Sequence, residues 1–340
     1  MKPNFEFEVG LHNEYQALVT NEKDEVVFDS GWHKNVILSQ LIPTICKDDA
    51  SVSPTMPNGS WNESVNIGKY IGIGTGNSVP VATQTQLDNE IKRIVNNNGY
   101  TKRTPWIIKA DKNLMYCHET VSYQFDDSIK GQNITELGIY SDEAYRQQSI
   151  LCTRALIKDS RGNPTTITLR AGEKLTINYK LYVVVPIEYK KANITYNYVE
   201  GGLVKETKII EVEYGFLNDY YPDYFLWHNF TSNAQWWICG DDAAFNKTNH
   251  TLTSNNSRLS NYYWINHKNT LPTQNGFRIG IGFDERGVVA GDKVKAFLFR
   301  NSLCVGFMFK EPITKTNRQR ILFIFDFKYG IWSGDTSELT

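Results

Sequence analysis

The chain has 340 residues, a formal net charge of -1 and a pI near 6.6. That length admits two domains or one large one, and the balanced charge excludes binding driven by bulk attraction to nucleic acid or an anionic membrane. Aromatic residues make up 13% of the chain, with 19 Tyr and 17 Phe, a composition that suits pleated, half-buried surfaces and predicts an all-β protein.

From Phe5 to Ile37 the pattern predicts a hairpin, with alternating apolar and polar residues on either side of a charged turn at Glu22 to Asp24. Residues 38–66 are punctuated by Pro43, Pro54, Pro57 and Gly59, which interrupt any long element. Tyr70, Ile71 and Ile73 predict a buried strand, followed by a glycine turn (Gly72, Gly74, Gly76) and a polar loop. The glycines invite a nucleotide-binding interpretation. They lack the third glycine of a dinucleotide fingerprint and the Gly-Lys-Ser/Thr ending of a phosphate loop. Pro80 and a polar stretch also separate them from any helix N-terminus that could hold a phosphate. A sharp turn at a sheet edge is the expectation. Behind the loop, Leu87, Ile91 and Ile94 fall at i, i+4 and i+7, which predicts one buried face of a short helix.

Two strands around a polar turn at Ala110 to Asn113 come next, and NITELGIYSD and SILCTRALIKD predict sequential strands of one sheet. Leu175, Ile177, Tyr179, Leu181 and Val183 alternate with polar partners as in a half-buried strand that Pro186 ends. A first unit therefore closes near Tyr189. A further hairpin turns at Gly201-Gly202, and the end of the chain is strongly β, with FRIGIGF, VKAFLFR, SLCVGFMFK and RILFIFDFKYGIW. RIGIGF echoes YIGIGT, a weak sign of duplication. The predicted fold is all-β, with two antiparallel β-sandwich (jelly-roll-like) domains and little helix, over residues 1–189 and 190–340.

Cys46, Cys117, Cys152, Cys239 and Cys304 are dispersed without CxxC spacing and read as free thiols, not a disulfide frame or zinc site. Cys117 and His118 would point to opposite faces of a strand, so no shared metal is expected. N-x-S/T sequons, as at Asn58, Asn62, Asn133 and Asn249, follow from an Asn-, Ser- and Thr-rich chain. MKPNFEFEVG has no apolar signal core and no segment reaches the length of a membrane span. The expectation is a protein made in a cytoplasm and kept or assembled there, without membrane or nucleic acid as partner.

Residues 1–188 carry an ordered set of phrases. Gly31-Trp32-His33-Lys34-Asn35-Val36-Ile37 closes the first hairpin, Ile71 to Gly76 forms the strand and turn, and Leu87 to Arg93 reads L-x-x-E-I-x-R. Ile134 to Ile139, Leu151 to Ala155 and Leu175 to Leu181 complete the series. In that order and spacing the first half resembles a group of tailed-bacteriophage virion proteins. The resemblance implies a structural part of the virion, in the tail, neck or fibre apparatus, and no catalysis. Within the phrases, Trp32 is expected to cap a sandwich as an apolar plug and Asn35 to hydrogen-bond a nearby turn. Arg93 and Arg154 are candidate partners for Glu90 or Glu136.

The second half carries one segment with a binding character. Trp227, Trp236, Trp237, Tyr262, Tyr263 and Trp264 lie near Asp241 and Asp242, a mixture suited to stacking on and hydrogen-bonding a sugar. Aromatic residues equally serve cores and oligomer interfaces. Asp241 and Asp242 are adjacent and do not supply the spaced carboxylates of glycoside hydrolysis, and no GxSxG or HExxH stands out. Three functions from different classes thus remain: a structural virion protein assembling with other virion components and with itself, a receptor-binding tip recognising host surface glycan, and a glycan-degrading enzyme. The first is favoured, with no enzymatic activity, no cofactor and no metal.

Overall fold

The computed structural model describes residues 5–46, 66–96, 104–143, 148–200, 203–218, 235–255, 257–259, 263–270, 276–283, 293–300, 303–314, 319–334 and 336–339. Among these, strands dominate, and the one α-helix is the six-residue Leu41–Cys46. Strand β1 (Phe5–Thr20) alternates at both ends, burying Phe5, Phe7, Val9, Leu11, Tyr15, Ala17 and Val19, while His12, Asn13 and Glu14 between them are buried as well. The charged turn after it is held by the Asn21 side-chain carbonyl, which accepts from the Lys23 and Glu25 amides, and Val26–Asp29 then returns along β1.

Strands β2 (Asn66–Gly74), β3 (Glu90–Val95), β4 (Leu114–Phe125), β5 (Glu136–Glu143), β6 (Gln148–Leu156) and β7 (Lys174–Pro186) follow. They divide between two sheets. Val36–Ile37, β6, β5, β2 and β3 form a five-stranded antiparallel sheet in that order, while β1, β7, β4 and Ile107–Lys109 lie side by side in a larger one. The two inner faces share a core: Ile71, Ile73, Leu137 and Ile139 on one side, Tyr15, Ile177, Tyr179 and Tyr123 on the other. Two tyrosine hydroxyls tie the layers together. Tyr15 donates to the Leu156 carbonyl at 2.7 Å and Tyr123 to the Gly68 carbonyl at 2.5 Å. Gly68 is left-handed (φ 81°), a conformation that strains a residue bearing a Cβ.

The remainder of the chain extends the large sheet. Its strands are β8 (Lys190–Glu200), β9 (Leu203–Phe216), β10 (Gln235–Cys239), β11 (Gly276–Phe283), β12 (Lys293–Arg300), β13 (Val305–Thr314) and β14 (Gln319–Ile331). The path runs β10-β12-β13-β9-β8-β14-β1-β7-β4, with β11 also paired to β14. Neighbours are antiparallel except at one seam, where β1 and β14 run parallel from Phe5↔Phe325 to Leu11↔Ile331. Aromatic rings fill the space under that seam. Phe7 stacks on Phe327 at 5.2 Å, Phe5 meets Phe307 and Tyr214 at 4.8 Å each, and Phe216 closes on Phe7 at 5.2 Å. Sheet and core run without a break across the expected boundary at residues 189 and 190.

Three local expectations need correcting. Residues 90–95 form strand β3 and not a helix: a register slip opposite Ile73 and Gly74 places an extra residue at Ile91. Ile91 and Ile94, three residues apart, therefore both pack on the core, which imitates helical spacing. The glycines at 72, 74 and 76 do not supply positive φ, since the described glycines with positive φ are Gly31, Gly68, Gly131, Gly162 and Gly172. They make room instead. A Cβ at Gly74 would lie 2.5 Å from both the Asn89 carbonyl oxygen and Glu136 Oε1. Trp32 is not an apolar plug: it is half-buried, with the Lys180 ammonium 3.7 Å from its ring centroid.

Candidate functional site

Below the glycine turn lies a charge centre with no solvent exposure. Glu136 begins β5 beside Gly74 of β2, and Arg154 of β6 stands opposite Gly138, one step along the same face. Both side chains are fully buried. Arg154 donates Nε to Glu136 Oε2 at 2.9 Å and Nη2 to Asp88 Oδ2 at 2.7 Å, while Nη1 reaches Gln84 Oε1 at 2.8 Å and Ser78 Oγ at 3.2 Å. Every arm of the guanidinium thus has a partner, three of them in the polar loop.

The Glu136 carboxylate is satisfied from the other side by backbone. Gly76 N and Asn89 N donate to Oε1 at 3.0 and 2.9 Å, and Asp88 N donates to Oε2 at 3.2 Å. The loop has the geometry of an anion cradle, and the anion it holds is a carboxylate of its own chain. Bare glycine is required for the approach, since a Cβ at Gly76 would come within 2.4 Å of Glu136 Oε1. Hydrogen bonds from Ser78, with the nearby Arg154 charge, hold the Asp88 carboxyl below its ordinary value.

Straps outside the centre complete the brace. Gln40 Nε2 donates to the Leu151 carbonyl at 2.6 Å and to the Gln84 carbonyl at 3.2 Å, and Ser39 N donates to the Ala82 carbonyl at 2.8 Å. Leu87 is buried with Leu38, Tyr140 and Leu151. Arg93 grips Glu90 with two hydrogen bonds of 2.8 and 2.7 Å, and its guanidinium lies 3.7 Å from the Tyr140 ring centroid. Asn35 donates to Thr153 Oγ1 in β6, at 2.9 Å, and not to a turn. Residues of four of the six sequence phrases, 71–76, 87–93, 134–139 and 151–155, therefore meet around one feature. Among its exposed polar residues the loop also presents two large apolar side chains to solvent: Val79 is 76% exposed and Val81 51%.

A second polar cluster lies on the outer face of β1, β7 and β4. The register sets His12 opposite Tyr182 and Tyr182 opposite His118. The Tyr182 hydroxyl donates to Glu14 Oε2 at 2.9 Å, and His12 Nε2 lies 3.8 Å from Glu14 Oε1. The C-terminal segment covers the cluster: Trp332 N donates to the Leu11 carbonyl, and Trp332 and Leu339 pack over Leu114, Tyr116, Tyr182 and Val184. Neither ring nitrogen of His12 has a hydrogen-bond partner. Burial, reinforced by Lys180, brings the His118 pKa down to about 4. Burial opposes ionisation of Glu14, yet His12 and Tyr182 outweigh it and hold that carboxyl below its ordinary value. The sequence shows these residues only as alternate positions of strands, and pairing them needs the register between strands far apart in the chain.

The aromatic and acidic residues picked out in the second half are less convergent among the described residues. Trp237 in β10 is half-buried against Leu217, Leu298 and Cys304, with the Arg300 guanidinium 4.9 Å from its ring centroid. Trp236 precedes it, opposite Phe299. Asp241 and Asp242 are exposed in the turn after β10, not on a strand. Asp242 accepts from Ser254 Oγ at 2.8 Å and Asn255 N at 2.6 Å, and these bonds hold it below the usual carboxylate range. Tyr263 and Trp264 enter the strand Tyr263–Thr270 beside β11. Trp227 and Tyr262 lie outside the described residues. Among the described residues, no three His, Cys, Asp or Glu side chains come together as a metal site. Cys117, Cys152, Cys239 and Cys304 are buried free thiols, and burial pushes Cys152 and Cys239 up to about 11, away from nucleophilic form.

Comparison with known proteins finds no matching family model, no matching curated protein and no matching solved structure.

Proposed function

We propose that the chain is a non-catalytic structural part of a tailed-phage virion, joined to its neighbours in the tail, neck or fibre apparatus through its first half. The observation that carries this reading is the Glu136–Arg154 centre. An acid and a base with all their hydrogen bonds taken up inside the protein hold a shape, and the shape they hold is a loop that carries exposed Val79 and Val81 among polar side chains. A stiff loop of that kind suits docking, because little freedom remains to be lost on binding. In this reading the first half is a sandwich-type docking module whose two layers are the five-stranded sheet and β1, β7 and β4. The second half is an adaptor for the next component.

Fractionation of particles tests it. Virions banded on a density gradient should retain the chain at a fixed copy number per particle, and Val79→Asp with Val81→Asp should yield folded protein that is missing from them. If the chain stays in the soluble fraction while complete particles band without it, the reading is wrong.

A further inference from the structure

We infer that β9 is a self-association edge, and that two copies of the chain pair antiparallel through residues 203–211 with a two-fold axis at position 207. Strand β13 pairs with β9 only from Val212 to Phe216, then turns to follow β12, where Lys293 meets Thr314. Residues 203–211 therefore run past the last β13 partner while staying paired to β8 on their other side. Every residue from Leu203 to Ile209 is exposed, so both faces of this ribbon meet water. Leu203 is 66% exposed, Val204 57% and Ile209 73%. Four of the nine residues are charged, yet no described strand pairs with this side of residues 203–211, and an exposed strand edge is a template for another strand.

The charge pattern selects a second copy as the occupant. A two-fold pairing that uses the whole segment 203–211 is centred on its midpoint, residue 207. In that register Glu206 of one copy faces Lys208 of the other, twice, and Val204 faces Ile210, twice. Lys205 falls opposite Ile209 and Leu203 opposite Glu211, so no like charges face each other. Directly opposed cross-strand pairs of opposite charge or matched apolar character are the ones that stabilise a sheet. Within one copy Glu206 and Lys208 already lie side by side, 3.3 Å apart on one face, so the pairing would build a four-charge cluster across the axis. Main-chain hydrogen bonds along the joined edges supply affinity, and the alternate side chains supply register. Self-pairing stands apart from the virion reading: molecular mass can be measured without particles, and particle fractionation does not require a dimer.

Sedimentation of the purified full chain across a concentration series tests the inference. The wild type should form a dimer, or an even-numbered assembly built from it. Glu206→Lys and Lys208→Glu should each raise the dissociation constant at least about tenfold, because like charges then surround the axis. The chain carrying both changes should dimerise again, and an equimolar mixture of the two single variants should form a heterodimer. These side chains are exposed, so circular dichroism should report unchanged folding. A wild type that remains monomeric at all concentrations, or single variants that associate like the wild type, would overturn the proposal.

Discussion

Arg154 and Glu136 lie on neighbouring strands, joined by an Nε–Oε2 hydrogen bond of 2.9 Å, and neither side chain reaches solvent. An ion pair this deep costs several kcal/mol per ion to desolvate. It persists because the remaining donors and acceptors are satisfied as well, by Asp88, Gln84 and Ser78 on one side and three loop amides on the other.

Removing one partner should therefore be severe. Glu136→Gln and Arg154→Met should each lower unfolding free energy by about 3–5 kcal/mol in urea titrations. Many buried pairs can be exchanged for apolar residues together at little cost, but this one should not tolerate it. The double variant Glu136→Leu with Arg154→Met would leave the amides of Gly76, Asp88 and Asn89 without their acceptor, at about 1–3 kcal/mol for the buried donor at Gly76 and less for the two part-buried ones. A double variant as stable as the wild type would show that the centre does not brace the loop.

The glycines allow a finer test. Gly76→Ala should cost about 1–3 kcal/mol by forcing Glu136 and Asp88 aside. Gly330, where an added Cβ would meet nothing within 4 Å and φ is not positive, should accept alanine within about 0.5 kcal/mol. Equal midpoints for the two variants would contradict the close approach.

The contrast between those glycines marks what the sequence could and could not say. Strand alternation was legible at Phe5 to Val9 and Tyr15 to Val19 of β1 and at Leu175 to Leu181 of β7, because period-two burial is a local property, whereas the unbroken burial of Leu11 to Tyr15 and Leu181 to Val185 was not. The candidate pairings of Arg154 with Glu136 and Arg93 with Glu90 were also visible, since each pair sits within a few dozen residues on adjacent strands or along one strand. The parallel seam between Phe5 and Phe325 was not. It joins the two ends of the chain, and nothing in either strand encodes its partner. Residues 90–95 misled for a specific reason: the bulge at Ile91 gives a strand the apolar spacing of a helix. His12 and His118 were invisible as a cluster because they meet only through Tyr182 between them.

The C-terminal cover should be measurable on its own. Trp332 Cβ lies 3.0 Å from where a Cβ on Gly10 would stand, and its ring sits 5.7 Å from that of His12. Trp332→Ala should cost about 2 kcal/mol, less than a fully buried tryptophan because the ring is half-exposed. Amide exchange should then quicken at Leu339 and along Leu11 to Asn13, but not around Glu136. Uniform loss of protection across both sheets would argue against a separate cover.

The cluster beneath that cover should also set how stability responds to acid. His118 faces Glu14 from β1 and Lys180 and Tyr182 from β7, with Tyr116 beside it on β4. Its folded pKa of about 4 lies below the value of 6.5 it regains on unfolding. Between those values the unfolded chain binds the extra proton, so lower pH favours unfolding. The stabilisation is complete above pH 6.5, declines as pH falls toward 4 and is gone below it. Its size should be on the order of 2 kcal/mol, less than the full linkage value because the ring is partly exposed. Glu14 and Asp88, both depressed, lose their contributions in a more acid range, below their ordinary values of 4.5 and 3.8. His118→Phe keeps a ring against Tyr182 and removes the titration. Urea midpoints for this variant should change much less than those of the wild type between pH 6.5 and 4, while the steeper loss at lower pH remains. Parallel profiles for the two proteins would assign the acid sensitivity elsewhere.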